Sequence, residues 1–145
     1  MNNYEKQIEV RWADADANRH VRHSSYYDYG AHLRIRFFES LGFGNSVLTN
    51  LKLGPVIFKE ECSFIKELSI DDTIRVNILR GEINKDASRW VLHHEIFNSK
   101  GEKSAHLKVE GAWIDLSKRK LTIPPIELAN SMLDLPKGED FSYKK

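Results

Sequence analysis

A single cysteine, four prolines and no apolar run near the ~20 residues needed to span a bilayer limit what this 145-residue chain can be. The lone thiol, Cys62, excludes an internal disulfide framework, so any core must be built by packing alone. An excess of one charge is missing too. Twenty-two Lys and Arg against 21 Asp and Glu leave a formal net charge of +1. No overall field draws in a polyanion such as duplex nucleic acid, and an anionic ligand must be met by a local cluster. Residues 1–6 lack the apolar stretch of a secretory signal. The expectation is a cytoplasmic chain with no membrane and no nucleic-acid partner. No internal repeat, low-complexity tract or linker interrupts it, and the length suits one domain over 1–145 with a loosely held polar tail from about 136.

What is present is a clear sequence of periodic segments. Residues 7–12 alternate apolar Ile8, Val10 and Trp12 with polar Gln7, Glu9 and Arg11, the period-two pattern of a strand with one wet face. A helix is expected from Ser24 or Ser25 to about Leu41, because Tyr26, Tyr29, Gly30, Leu33, Phe37 and Leu41 fall on one stripe. Ser25 is placed to cap it, with Asp28 three residues on, and Gly42 suits the left-handed position that follows. Four strand-like segments come next, at 56–65, 73–79, 88–97 and 105–116, and Pro124-Pro125 leads into a short helical patch at 126–133.

Strand, long helix, then four strands implies an α+β domain in which one antiparallel sheet of about five strands wraps a single helix. So few strands leave part of the helix and a sheet edge uncovered. A homodimer with sheets joined edge to edge, or a homotetramer built from two, is the expected remedy.

The densest chemical signal runs over residues 11–26, where Asp14, Asp16, His20 and His23 sit in a loop feeding straight into the helix. Amides in a helix's first turn have no intrahelical acceptor and lie at the positive end of its dipole, so they suit a carbonyl oxygen that becomes negative. A nearby aspartate can attack that carbonyl or activate water. A thioester suits such modest equipment, because a thiolate leaves without much help from an acid.

The run Arg-Trp-x-Asp-x-Asp-x-x-x-His-Val from Arg11 to Val21, followed by Tyr26 and the long helix, resembles the 4-hydroxybenzoyl-CoA thioesterase family of hotdog-fold proteins. The similarity continues through Gly54-Pro55-Val56-Ile57, residues 64–74, residues 95–102 and Ile123-Pro124-Pro125. The resemblance implies a hotdog fold and an acyl-CoA thioesterase that needs no metal or cofactor. Asp16 matches the family's catalytic carboxylate, with Asp14 supporting it. His23 matches a histidine of the short-acyl-CoA subgroup, and its backbone N–H the donor that polarises the carbonyl. His20 matches the histidine of a His-Val-Asn-Asn version of the motif, from which this chain departs at Arg22 and His23. Coenzyme A would cross a subunit interface, with Lys85, Ser88 and Arg89 as phosphate or pantetheine contacts and Ser24, Tyr26 and Tyr27 beside the acyl group.

Other readings attach to the same residues. Asp14 and Asp16 in a loop also serve as turn and helix caps, and His20 as a packing residue. The histidines and carboxylates fit no strong metal template, and His93 and His94, adjacent on a strand, point to opposite faces. Glu60 and Glu61 also point oppositely; solvent exposure or ion pairing is the expectation for them, with approach of one to a partner's site as the alternative. A non-catalytic acyl-CoA or acyl-carrier-protein binding module on the same fold is the rival to an enzyme.

Overall fold

The computed structural model describes residues 3–143. Strand β1 (Glu5–Glu9) leads through a 3-10 turn (Trp12–Asp14) into helix α1 (His23–Ser40) and the short helix α2 (Asn45–Asn50). Strands β2 (Leu53–Phe64), β3 (Thr73–Asn77), β4 (Leu79–Ile83), β5 (Arg89–Phe97), β6 (Lys103–Asp115) and β7 (Lys120–Leu121) follow, and helix α3 (Ile126–Leu133) comes last. The strands form one antiparallel sheet in the order β1-β3-β5-β6-β2, with β4 also paired to β5 and β7 to β6. The expected α+β arrangement, a sheet curled against one long helix, is present.

Helix α1 buries Tyr26, Tyr29, Leu33, Phe37 and Phe38 against sheet residues that include Ile74, Val76, Leu92, Ile96, Leu107 and Val109. Gly30 sets how closely helix and sheet approach. A Cβ there would meet Leu107 Cδ1 at 3.0 Å and His94 Cδ2 at 3.1 Å, so a larger residue would lift the helix. The helix also carries Arg34 into the interior at 6% exposure, where Nη1 lies 3.1 Å from His94 Nε2. The guanidinium Nη2 is 3.9 Å from Glu60 Oε2 on β2.

Several boundaries differ from the sequence reading. The first strand ends at Glu9, and Trp12 is 84% exposed rather than inward. Asp14 accounts for the break: its carboxylate accepts the Arg11 amide and its own amide donates to the Arg11 carbonyl, which tightens the chain into a turn. Ser25 is not the cap. Helix α1 starts at His23 after Arg22, without a side-chain cap, and Ser25 is buried in the first turn. Gly42 does take positive φ, at 88°. The segment expected as one strand at 73–79 is instead β3 and β4, parted at Ile78, whose amide donates to the Tyr4 carbonyl.

Of the tail expected to be loosely held from about 136, residues 136–143 are bonded to the sheet, and 144–145 lie outside the described residues. Arg80 N donates to Pro136 O and Gly138 N to Arg80 O, Asp140 accepts from Lys108, and the Tyr143 hydroxyl donates to the Phe64 carbonyl. Its polar residues find partners on the sheet, which composition alone does not reveal.

Candidate active site

The loop between the 3-10 turn and α1 is tied to its surroundings from both ends. Asp14, 2% exposed, receives the Arg11 guanidinium at 2.9 Å and the Tyr29 hydroxyl, from two turns into α1, at 2.9 Å. Burial pushes the Asp14 carboxyl up, but the Arg11 guanidinium and amide and the Tyr29 hydroxyl together hold it below the usual carboxylate range. Burial and the Asp14 charge push the Tyr29 phenol up in turn. The pair is a fixed anchor: an ionised carboxylate and an un-ionised phenol holding loop to helix. Tyr29 is the partner that sequence spacing marked only as core.

Asp16 stands two residues further, on the exposed side of the loop. Its Oδ1 accepts the amides of Asn18 at 2.8 Å and His20 at 3.1 Å, while Asp16 N donates to His20 O at 2.8 Å. Among the described residues Oδ2 receives no hydrogen bond, so one oxygen fixes the carboxylate and the other is left over. The side chain lies at the lip of two depressions. One, of about 370 Å³, is lined by His20, Val21, His23, Tyr26, Phe64 and Lys66 among others. The second, of about 600 Å³, is lined by Trp12, Arg19, Arg22 and Ile70 among others.

The helix start faces the same region. Arg22 N donates to Asp14 O and Ser25 N to Arg22 O. The amides of His23 and Ser24 remain in the first turn, where helix geometry supplies no acceptor. His20 is turned aside, with Nε2 3.1 Å from Glu67 Oε2. Tyr26 is buried, accepts the Leu68 amide at 3.3 Å and packs edge-on against Phe64 at 5.0 Å between ring centroids.

The structure thus gathers Asp16, His20, His23 and Tyr26 at one groove, with Asp14 beneath it. It does not bring Ser24's side chain or Tyr27 into that groove. Tyr27 lies further along α1, half-buried beside Cys62 and Glu60. Burial pushes the Cys62 thiol up to about 12, which leaves it inert as a nucleophile. Lys85, Ser88 and Arg89 form the β4–β5 hairpin. Ser88 accepts from the Asn84 side chain at 3.0 Å, and Arg89 lies over the Phe58 ring at 5.7 Å. Of the three, only Arg89 lines a cavity of about 610 Å³, beside Arg80, Glu82, Trp90, Glu110 and Lys137. Among the described residues no group of three or more His, Cys, Asp or Glu side chains is placed to hold a metal ion, and no helix is long and apolar enough to cross a membrane.

A family model for the thioesterase-like superfamily matches residues 10–132, which takes in the loop, the helix and nearly all of the sheet. The chain belongs to this superfamily. Solved structures agree in fold. A hypothetical protein from Staphylococcus aureus, determined in complex with CoA, superposes with a TM-score of 0.84 at 18% identity, covering 99% of this chain and 96% of that one. A DHNA-CoA thioesterase from Staphylococcus aureus gives 0.80 at 21% identity, with 92% and 91% covered. A 1,4-dihydroxy-2-naphthoyl-CoA thioesterase from Synechocystis gives 0.81 at 16%, with 92% and 98% covered. These likenesses establish the hotdog fold. A curated relative from Aquifex aeolicus (strain VF5), described provisionally as an esterase, is 30% identical over 76 residues; the match covers 52% of this chain and 59% of the relative's length.

Proposed function

We propose that this thioesterase-like protein hydrolyses acyl-CoA thioesters, with Asp16 as the reacting carboxylate. The observation that carries the reading is the Asp16 side chain itself. One oxygen is fixed by two backbone amides while the other is uncommitted, at the lip of a groove that α1 enters with its His23 and Ser24 amides unpaired in the helix.

In this reading the thioester carbonyl lies at the helix start, and the His23 and Ser24 amides stabilise its oxygen as it becomes negative. Asp16 either attacks the carbonyl carbon, giving an acyl-aspartate that water then cleaves, or removes a proton from the attacking water. The new C–O bond forms, the C–S bond breaks, and the thiolate takes up a proton to leave as free coenzyme A. Asp14 keeps the loop in place through Arg11 and Tyr29, and His23 supplies a polar wall. The acyl group extends beside Tyr26 and Phe64, which line the groove. Arg89, with Lys85 and Ser88 on the same hairpin, is the candidate for phosphate or pantetheine contacts; its cavity carries Arg80 and Lys137 as well as Glu82 and Glu110, so the cations are in excess by one.

A second copy of the chain completes the picture. Strand β2 is a 12-residue sheet edge with Ile57, Phe58 and Phe64 exposed, which is a surface suited to pairing with another sheet edge. A homodimer, or a tetramer of two such dimers, would cover it and close the groove over Asp16.

The test is release of free thiol from a panel of short, long and aromatic acyl-CoA substrates, comparing the native chain with Asp16→Asn. Because Asp16 is exposed, the variant is expected to keep its fold and lose roughly 100-fold or more in kcat. Native turnover that persists in Asp16→Asn would remove the residue from the chemistry. Ligand binding without turnover by the native chain would make it a binding module.

A further inference from the structure

The outer face of the sheet holds two histidines that the groove does not use. His93 on β5 and His106 on β6 are 1% and 4% exposed, with His93 Nδ1 2.9 Å from His106 Nε2. Their protons can be assigned by elimination. With His106 Nε2–H donating to His93 Nδ1, the His93 Nε2–H faces Asp140, whose Oδ1 is 3.9 Å away. The reverse tautomers would bury an N–H at His106 Nδ1, an atom without a partner, and aim a lone pair at a carboxylate. Two neutral rings satisfy this arrangement, and among the described residues nothing accepts a hydrogen bond from a proton placed on the buried His106 Nδ1.

Residues 136–143 cover the pair. Pro136 and Gly138 are bonded through Arg80 on β4, and a Cβ at Gly138 would lie 3.1 Å from His93 Cδ2. Asp140 accepts from Lys108 on β6 at 3.1 Å. The Phe141 ring lies 6.0 Å from the His106 ring, the Lys103 ammonium sits 5.3 Å from the Phe141 ring centroid, and Tyr143 donates to Phe64 O at 2.7 Å. The segment thus crosses β4, β5, β6 and the end of β2.

The charged groups around the two rings come from every covering element. Glu95 belongs to β5, Lys103 and Lys108 to β6, and Asp140 to the crossing segment. Glu82 of β4, Glu110 of β6 and Lys137 line the cavity of about 360 Å³ beside His93. His94 lies on the opposite face, directed at Arg34. Of these carboxylates, Asp140 makes the close approach to His93, beyond hydrogen-bond distance, and it is already held by Lys108.

We propose that residues 136–143 are an acid-released strap, which leaves the sheet when His93 and His106 take up protons. Burial pushes both imidazoles below the ordinary histidine value, His106 to about 4. Once the strap is off, the rings are open to water and titrate near ~6.5. The closed form therefore binds fewer protons, so closure is fully supported above that pH and is lost as pH falls. His106 alone raises the opening constant about tenfold per pH unit between ~6.5 and its closed-state value, and His93 adds to the slope, to a limit of about 100-fold per unit. Lys108 holds the Asp140 carboxyl below its usual range, so that group stays ionised through this window and does not produce the slope.

Release has a route to the groove. Phe64, whose carbonyl Tyr143 holds, packs against Tyr26 and lines the depression beside Asp16. That consequence rests on the thioesterase reading of the groove, whereas release of the strap does not.

The experiment is hydrogen exchange by mass spectrometry on the full chain from pH 8 to 4.5, with protection corrected for the intrinsic pH dependence of exchange. Protection of the Gly138 amide, which donates to Arg80 O, and of the Arg80 amide, which donates to Pro136 O, is expected to be level above pH 7 and to fall below ~6.5 with a slope that approaches about tenfold per unit or steeper, while amides of β5 and β6 stay protected. The His93→Gln/His106→Gln double variant is expected to flatten the profile. Tyr143→Phe is expected to lower strap protection at every pH with the same slope. A level wild-type profile between pH 7.5 and 5, loss of strap and β5–β6 protection together, or a slope that survives in the double variant would each overturn the proposal. If the double variant does not fold, the wild-type profile and the slope in Tyr143→Phe decide the matter. Thiol release is measured separately, so inactivity would count against the groove reading and not against the strap.

Discussion

Arg34 donates from the middle of α1 to His94 on β5, Nη1 to Nε2, across 3.1 Å of the protein interior. The imidazole is oriented from its other side, where Nδ1 is 2.8 Å from the Asn77 carbonyl and donates to it, so Nε2 must be the acceptor. Arg34→Ala would strand that nitrogen and remove the cation nearest Glu60, whose Oε2 is already buried and without a hydrogen bond. The expected loss is about 3–5 kcal/mol by urea unfolding, the cost of breaking a buried polar cluster from one side. A loss below about 1 kcal/mol would show that the cluster does not need its guanidinium.

The same imidazole makes the fold acid-sensitive. Burial, and then the Arg34 charge, push His94 down to about 3. The unfolded chain releases the proton near ~6.5, so the stabilisation from neutral His94 is complete above that pH and is lost as pH falls toward 3. Unfolding free energy measured in urea from pH 8 to 4 is expected to be level at first and then to decline below ~6.5. His94→Gln should flatten part of that decline; an unchanged slope would assign acid sensitivity elsewhere.

Tyr29→Phe isolates the anchor beneath the loop. It deletes the hydroxyl that donates to Asp14 while leaving Arg11 in place. The expected cost is about 1–2 kcal/mol in stability, with a kcat loss smaller than that of Asp16→Asn. Equal losses from the two variants would mean that the phenol does more than hold the loop.

Substituting Ile57 on the β2 edge with Glu tests the assembly. Sedimentation of the native chain is expected to give a dimer or tetramer, and Ile57→Glu a smaller species with thiol-release activity reduced in parallel. An oligomer that sediments unchanged would take β2 out of the interface.

Much of the architecture was legible because it depends on patterns local to each element. The stripe from Tyr26 to Phe37 marked the buried face of α1, and Pro124-Pro125 before a short apolar run marked α3 at residues 126–133. The failures come from contacts that leave the hydrophobic alternation unchanged, some local and some distant in sequence. Trp12 continues the alternation of Ile8 and Val10, but Asp14 turns the chain before it can join the sheet. The junction at Ile78 is invisible to periodicity because the alternation runs on while its amide is diverted to Tyr4. The short helix α2 fell in a stretch read as turns, since its six residues bury none of their side chains. The candidate loop was legible through its motif, whereas the bond from Tyr29 required seeing which residue of the helical stripe meets Asp14.

The bond between Asp14 and Tyr29 joins residues fifteen positions apart and crosses the start of α1. Any tilt of the helix must therefore carry the preceding loop with it, which couples the width of the groove to the seating of α1 on the sheet. Repacking beneath the helix would move the Asp16 loop and the helix-start amides together, so the groove's width and the spacing of these groups change in concert.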